Sequence, residues 1–257
     1  MTRRLVALMT ALALAITAAC AGKNDPTRTP VAAGIEYSPG LHLDLYRPVR
    51  GIAPLRAIVL VHGGGFSSGS RADLAGLAEA LAYHGYVTAS IDYRLTEGSW
   101  FPAQELTDPG LVAAAALARQ DADAAVEWLR SQAKTYRIDP DRIAIAGFSA
   151  GAITAIEVAT HPPPAVWAGV SIAGAAIDTA ALAGPHPPLF LVHGDADDVI
   201  PPALADATCE AAAATGGCTV YHVDQVGHDV LSSNRFQDVV GQIDDFLRRI
   251  TPVPSSG

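Results

Sequence analysis

A serine between two closely spaced glycines is the residue of this sequence best suited to nucleophilic chemistry. The run Gly147-Phe148-Ser149-Ala150-Gly151 matches the G-x-S-x-G pattern, with an apolar stretch before it and a helical pattern after it. The glycines allow a strand-to-helix turn too tight for side chains, which predicts that Ser149 is strained and exposed at the top of a sheet. We therefore predict that Ser149 is a nucleophile. The alternative is a glycine-rich turn whose serine only caps the helix.

A second glycine-rich run supplies candidate hydrogen-bond donors. His62-Gly63-Gly64-Gly65-Phe66 follows the apolar segment Ala57 to Val61 and matches the HGGG motif, whose backbone N–H groups face a developing oxyanion. We predict an oxyanion hole formed by the amides of Gly64, Gly65 and Ala150, each worth about 3 to 4 kcal/mol to the transition state. A phosphate-binding loop is the alternative, but no Lys-Ser/Thr follows and no G-x-G-x-x-G spacing fits.

Histidines that follow the serine are the candidate general bases, since acid and histidine come after the nucleophile in chains of this motif. His228 lies in a Val-Gly-His-Asp loop between the last predicted strand and the last predicted helix. His222 falls inside a strand, and His161 and His186 stand beside prolines. We predict His228 as the base. The alternative is an ordinary histidine of a surface loop.

The candidate acids lie in the loop His193-Gly194-Asp195-Ala196-Asp197-Asp198-Val199-Ile200-Pro201, which follows a predicted strand. Spacing alone leaves the choice among the three aspartates open. A calcium loop is a rival use of such a cluster, but the glycine and terminal glutamate of the EF-hand pattern are missing.

The elements that position these residues alternate between short apolar runs and longer amphipathic ones, which favours a mostly parallel sheet covered by helices. Leu41 to Tyr46 alternates with period two and predicts a half-exposed edge strand. The other predicted strands are Ala57–Val61, Tyr86–Ile91, Ile143–Ala146, Val166–Ile172, Leu189–Val192 and Thr219–Val223. The predicted helices are Leu74–Tyr83, Leu111–Ala133, Ala150–Ala159, Ala203–Ala213 and a last one with an apolar face from Phe236 to Ile250, capped by Ser232 or Ser233.

The ends of the chain differ in composition from this domain. Arg3 and Arg4 precede a short apolar run and then small residues, which predicts a signal peptide over residues 1–19 and export of the chain. The small residues before Cys20 resemble a bacterial lipobox, so Cys20 is a candidate for lipidation, with plain cleavage as the alternative. Residues 20–30 are predicted to be a linker, 31–250 the domain and 251–257 a flexible tail.

The number of cysteines indicates how the domain is stabilised. Apart from Cys20, only Cys209 and Cys218 remain of the three cysteines, and an even pair in an oxidising compartment predicts a structural disulfide. Two buried thiols are the alternative.

The formal net charge is -9, and no basic stripe with interleaved aromatics occurs, so nucleic-acid binding is not expected. Membrane association is expected only through a lipid anchor.

Several motifs together resemble one enzyme family. They are His62–Phe66, Asp92–Leu95, Phe101–Ala103, Asp139–Arg142 and Gly147–Gly151. Their order is similar to that of carboxylesterases related to hormone-sensitive lipase and of bacterial feruloyl-type esterases. The resemblance implies an α/β-hydrolase fold with an eight-stranded, mostly parallel sheet, helices on both faces, and short-chain or aromatic ester substrates. It implies no cofactor and no metal.

The resemblance also bears on the acid and on the entrance to the site. The loop after His193 is similar to the family's H-G-x-x-D-x-x-V-P pattern, which places the acid at Asp197 with Asp195 next. Phe148 stands where an acidic residue is usual and Ala152 where a third glycine is usual, so the branch of the family stays open. Only Ala173 to Pro188 separates two consecutive strands, which predicts little or no cap and an open cleft.

The sequence therefore predicts a serine hydrolase that cleaves carboxylic esters through an acyl-enzyme. The expected substrates are small-molecule esters. Hydrolysis of an amide, thioester or lactone is the alternative within enzymes. A non-catalytic lipoprotein that uses the fold to bind at the cell surface is the alternative outside them.

Overall fold

A computed structural model describes residues 31–48, 54–98, 106–161 and 165–250 of the 257-residue chain. The predicted signal peptide, the linker with Cys20 and the tail 251–257 lie outside the described residues. So does the Phe101–Ala103 motif.

Within the described residues, eight strands form one sheet, as the resemblance implies. They are β1 (Ala32–Ser38), β2 (Leu41–Tyr46), β3 (Leu55–Val61), β4 (Val87–Ile91), β5 (Ile138–Phe148), β6 (Gly169–Ile172), β7 (Leu189–Gly194) and β8 (Cys218–Val223). The spatial order is β1-β2-β4-β3-β5-β6-β7-β8, in which β2 is antiparallel to both of its neighbours and all other pairs are parallel. The carboxyl ends of β3 to β8 therefore meet at one edge, where loops can converge on a site.

One strand was missed and one misplaced by the sequence prediction. The first strand, β1, occupies the edge, so the expectation that Leu41 to Tyr46 is an edge strand is wrong. Only one residue of β1 is buried, the strand contains Gly34 and it pairs with irregular register, so it lacks the alternation that predicts a strand. β2 is covered on both sides by neighbouring strands, and its Leu43 and Leu45 are fully buried.

Helices cover both faces of the sheet. They are α1 (Ala75–Tyr83), α2 (Pro109–Ser131), α3 (Ala133–Tyr136), α4 (Ala150–Thr160), α5 (Pro202–Ala212) and α6 (Phe236–Arg249). Apolar residues of α2, α4 and α5 form one core with one face, and those of α1 and α6 form a second core with the other. Alternate residues of β3 divide between the two, since Val59 joins the first core and Leu60 the second.

The last helix has the predicted apolar face but not the predicted cap. Val239, Ile243 and Leu247 are fully buried. The helix begins at Phe236, after Arg235, and no side chain caps it. The prediction of a serine cap is wrong because a short 3-10 helix, Val230–Ser232, occupies this segment, and Ser233 Oγ accepts a hydrogen bond from the Arg235 amide instead.

The connection between β6 and β7, all of which is described, contains only a 3-10 helix, Thr179–Ala183. It holds no inserted cap domain, in agreement with the prediction. No helix in the described part of the chain has the length and apolar character needed to cross a membrane.

Cys209 of α5 and Cys218 of β8 are joined by a disulfide, with Cα atoms 5.1 Å apart. The bond ties the helix to the strand that leads towards His228. The alternative of two free thiols is therefore not what the structure shows.

Reduction of this disulfide is expected to lower stability before it lowers activity. Closing a loop of about ten residues restricts the unfolded chain by about 2.7 kcal/mol in the chain-entropy model. For a domain of this size that corresponds to a fall in melting temperature of about 5 to 10 °C. Thermal unfolding of wild type and of a Cys209→Ser/Cys218→Ser double variant measures it. An unchanged melting temperature would show that the bond forms without stabilising the fold.

Candidate active site

Ser149 lies at the sharp turn between β5 and α4. Its backbone has φ 55° and ψ -118°, a conformation that non-glycine residues rarely adopt. The turn is held by a hydrogen bond of 2.9 Å from the Ser149 amide to the Ile172 carbonyl, at the end of the neighbouring strand β6. The strained turn is therefore fixed to the sheet, as the G-x-S-x-G pattern predicts.

The two glycines of the motif are required by close approach of backbone to backbone. A Cβ atom at Gly147 would lie 2.0 Å from the Gly151 carbonyl oxygen. A Cβ atom at Gly151 would lie 2.0 Å from the carbonyl oxygen of Val61 and 2.6 Å from that of His62. The close approach of Gly151 to Val61 and His62 brings the start of α4 against the end of β3. Gly151 therefore fixes the serine beside the His62–Phe66 loop.

We expect Gly151→Ala to destabilise the protein by at least about 3 kcal/mol, because its methyl group would overlap backbone atoms that cannot move independently. Gly241→Ala in α6 is the matched control, since no atom lies within 4 Å of the Cβ position there. The control should stabilise by up to about 1 kcal/mol through helix propensity. Urea unfolding of both variants measures the difference, and equal stabilities would contradict the close-approach explanation.

The side chains around Ser149 cover it, so the expectation that the serine is exposed is wrong: only 5% of its surface is accessible. The Phe148 ring lies 5.4 Å from the His228 ring, and it would be 2.9 Å from a Cβ atom at Gly63. Phe148 directly precedes the serine, whereas His228 and Gly63 come from two other loops. Local sequence around the serine does not reveal the latter two.

His228 joins the serine to an acid. Its Nε2 atom lies 2.8 Å from Ser149 Oγ, and its Nδ1 atom lies 2.8 Å from Oδ2 of Asp197. An ionised carboxylate only accepts hydrogen bonds, so Nδ1 carries the proton and Nε2 is left to accept from the serine hydroxyl. The structure thus brings together Ser149, His228 and Asp197, three residues that lie far apart along the chain.

Asp197 is completely buried at its side chain, yet it is held as an anion by hydrogen bonds. Oδ1 accepts from the amides of Val199, at 2.9 Å, and Ile200, at 3.0 Å. Oδ2 accepts from His228 and also lies 3.1 Å from Nε2 of His193. Burial raises the pKa of the carboxyl group, but these bonds together outweigh it and hold the pKa well below its usual range.

The neighbouring aspartates have other surroundings. Asp195 is exposed, and its Oδ1 accepts a hydrogen bond of 2.6 Å from the Gln225 amide. Asp198 is exposed too. Across residues 31–48, 54–98, 106–161 and 165–250, no three His, Cys, Asp or Glu side chains come together as metal ligands. Only Asp197 among the three reaches His228.

The predicted oxyanion loop has a left-handed backbone at three successive residues. Gly64, Gly65 and Phe66 have φ of 104°, 60° and 62°. The Gly64 carbonyl is turned back to accept from the amides of Ser67 and Ser68. In the described part of the chain, no group accepts from the amides of Gly64 and Gly65. The Ala150 amide opens α4 and so has no acceptor within that helix.

Two residues that support this loop were not assigned a role from sequence. Tyr93 donates its hydroxyl proton towards the carbonyl oxygens of His62, at 3.2 Å, and Gly63, at 3.4 Å. Its ring stacks on that of His62 with centroids 4.3 Å apart. Burial lowers the pKa of His62, so its ring is neutral and donates from Nδ1 to the Gly63 carbonyl. The Asp-Tyr-Arg motif was the signal that pointed to Tyr93.

Known proteins share this fold and part of this sequence. The BD-FAE family model matches residues 43–162. Carboxylesterase 5A of Mus musculus is 33% identical over 48% of this chain, and juvenile hormone esterase of Heliothis virescens is 37% identical over 42%. These matches cover 20% and 18% of the two relatives, so the chain spans about a fifth of their length.

A solved structure agrees over most of the fold. The propionate-bound form of the thermophilic esterase Est2 from Thermogutta terrifontis superposes with a TM-score of 0.67 at 22% identity, covering 84% of this chain and 92% of that one. Another structure of that enzyme is phosphonylated by cyclosarin. The likeness shows that the two chains share one fold.

Proposed function

We propose that this chain, which has the α/β-hydrolase fold, cleaves carboxylic esters with Ser149 as nucleophile, His228 as general base and Asp197 as the acid that orients the base. The observation that carries the proposal is the 2.8 Å hydrogen bond between Ser149 Oγ and His228 Nε2. A nucleophile within hydrogen-bond reach of a base, itself oriented by a third group, is the arrangement that activates a serine.

In the first half of the reaction, Ser149 Oγ attacks the ester carbonyl carbon while its proton passes to His228 Nε2. The carbonyl π electrons move to oxygen, which becomes an oxyanion. Asp197 holds the imidazole in the tautomer that can accept the proton and stabilises the imidazolium that forms. The tetrahedral intermediate then collapses, and the leaving alkoxide takes the proton from His228.

The oxyanion is stabilised by the amides of Gly64, Gly65 and Ala150. Their lack of acceptors in the described residues supports this assignment, because such donors are available for a bound oxygen. The bond from Tyr93 to the carbonyl of His62 keeps the loop in place.

In the second half, water attacks the acyl-enzyme and His228 takes a proton from that water. The second tetrahedral intermediate releases the carboxylic acid, and the proton on His228 returns to Ser149. Each step uses groups of this chain and water.

The comparisons support ester bonds with short acyl groups as substrates. Two relatives are named as esterases, and the thermophilic esterase is bound to propionate, a three-carbon acid. Motifs shared with feruloyl-type esterases favour an aromatic acyl group as the other candidate.

We also propose that the chain is exported, with Cys20 as a lipid attachment site. The disulfide between Cys209 and Cys218 supports export, because disulfides persist in oxidising compartments. Mass spectrometry of the mature N-terminus from the native host tests both parts.

Hydrolysis of p-nitrophenyl esters of increasing acyl length tests the proposed activity. We expect turnover that is highest for short chains, and covalent labelling of Ser149 by a fluorophosphonate. Matched amide, thioester and lactone substrates provide the comparison between acyl bonds. Faster turnover of one of these would replace the ester assignment, and absence of both turnover and labelling would favour a binding protein.

A further inference from the structure

His193 is a buried histidine that the proposed mechanism does not use. It lies near the carboxyl end of β7, and its side chain is fully inaccessible to solvent. Its Nε2 atom lies 2.8 Å from the Ile200 carbonyl oxygen and 3.1 Å from Oδ2 of Asp197. Its Nδ1 atom is buried and has no hydrogen-bond partner in the described part of the chain. The two nitrogens of one ring therefore have different surroundings.

These surroundings determine where the proton of His193 lies. Carbonyl oxygens only accept hydrogen bonds, so Nε2 carries a proton and donates it to the Ile200 carbonyl, while the carboxylate oxygen Oδ2 of Asp197 lies 3.1 Å from the same nitrogen. A second proton on Nδ1 would place a charged N–H group in the interior with no acceptor, which is unfavourable. His193 is therefore a neutral imidazole protonated on Nε2. Oδ2 of Asp197 thus lies between two imidazoles: it accepts from Nδ1 of His228 and is 3.1 Å from the protonated Nε2 of His193.

We propose that His193 is a positioning residue that holds the Asp197 carboxylate in the orientation that His228 requires. The inference rests on the proposed function, because His193 acts only through the hydrogen bond between Asp197 and His228. With the amides of Val199 and Ile200 on Oδ1 and His193 on Oδ2, the carboxylate cannot rotate about its Cβ–Cγ bond without losing a bond at each oxygen.

The same proton also holds the turn from which Asp197 projects. The Ile200 carbonyl belongs to the residue whose amide binds Asp197 Oδ1, so the ring joins the two ends of this turn. The contact with His193 is one of those that lower the pKa of Asp197 against the opposing effect of burial. Loss of the donor would thus loosen the carboxylate and favour its protonated form, which holds the imidazolium of His228 less well.

Two replacements of His193 test the role. His193→Gln keeps an N–H donor at a position equivalent to Nε2, whereas His193→Phe keeps a flat ring of similar size without a donor. We expect His193→Phe to lower kcat on p-nitrophenyl acetate by about 10- to 100-fold with KM within about twofold, as expected for a misplaced base. His193→Gln should recover kcat to within about fivefold of wild type. Equal kcat for wild type and His193→Phe would overturn the proposal.

His186→Phe is the matched control for loss of a buried histidine. His186 is also buried and lies before the start of β7, at the opposite end of that strand, where Nδ1 donates to the Pro187 carbonyl. This variant should lose stability but keep its kcat. If both phenylalanine variants lose kcat equally, the effect is one of general packing and the proposal is wrong.

Two further measurements separate the possible failures. Ser149→Ala is assayed in parallel: turnover in that variant overturns the proposed function, whereas wild-type kcat of His193→Phe beside an inactive Ser149→Ala overturns only the role of His193. Nitrogen-15 NMR of histidine-labelled wild type requires no variant to fold. A proton on Nε2 and none on Nδ1 of His193 supports the proposal, and a proton on Nδ1 contradicts it.

Discussion

Replacing Ser149 with alanine is expected to reduce ester hydrolysis by about a millionfold in kcat, to the background rate. The reason is that Ser149 forms the acyl-enzyme in the proposed mechanism, and loss of the nucleophile from a triad removes the contribution of the base and acid as well. The change deletes one hydroxyl group whose structural bond is to His228, so the fold should be retained. Steady-state rates on p-nitrophenyl acetate and thermal unfolding measure both parts.

Ser171→Ala is the control that separates the nucleophile from any buried serine. Ser171 lies in β6, next to β5 in the sheet, and is 1% exposed. Its Oγ atom has no hydrogen-bond partner among the described residues. This variant should keep its activity within about twofold, since removing an unpaired hydroxyl leaves no partner unsatisfied. Residual activity within tenfold of wild type in folded Ser149→Ala would refute the assignment of the nucleophile.

The site draws its residues from the carboxyl ends of several parallel strands. The proposed oxyanion loop follows β3, Ser149 follows β5, Asp197 follows β7 and His228 follows β8. This arrangement explains why residues far apart in sequence meet, because parallel strands bring all their carboxyl ends to one edge. The close contact of Gly194 with the Val226 carbonyl, 2.2 Å from a Cβ position, shows how closely the base loop lies on β7.

The turn at Ser149 and the order of the strands and helices could be predicted because these features depend on local sequence. Glycine spacing indicated the turn at Ser149, and continuous apolar runs indicated the buried parallel strands. The choice of Asp197 needed the family resemblance, because spacing does not report which of three nearby carboxylates points towards a loop 31 residues away. His193 is the first residue of the H-G-x-x-D pattern, but its contact with the Asp197 carboxylate is a property of packing that the pattern does not report.

Two of the wrong predictions share one physical cause, which is contact with distant segments. Ser149 is buried because Phe148, His228 and Gly63 close over it, and two of these come from other loops. The edge position of β2 was wrong because its partner β1 is too exposed and irregular to predict as a strand. Local pattern gives the type of an element more readily than it gives its neighbours.

Asp197→Asn is expected to lower kcat by about four orders of magnitude while Asp195→Asn leaves it within about threefold. In Asp197→Asn, the side-chain oxygen can still accept from the amides of Val199 and Ile200, which turns the NH₂ group towards His228. Nδ1 must then accept, and the proton moves to Nε2. A histidine protonated on Nε2 cannot take the proton of Ser149, so the base is lost although the geometry is kept.

The paired variant makes this test specific to one carboxylate. In Asp195→Asn the side-chain oxygen can keep accepting the 2.6 Å bond from the Gln225 amide, so only an exposed charge is removed. Rates at saturating p-nitrophenyl acetate, with binding of the fluorophosphonate probe as a second readout, compare the two directly. Loss of activity confined to Asp195→Asn would reassign the acid, and loss in both would mean that the whole loop, through its charge or its fold, holds His228. Loss of activity confined to Asp197→Asn would show that the tautomer of His228 depends on Oδ2 of Asp197, the oxygen that faces Nδ1.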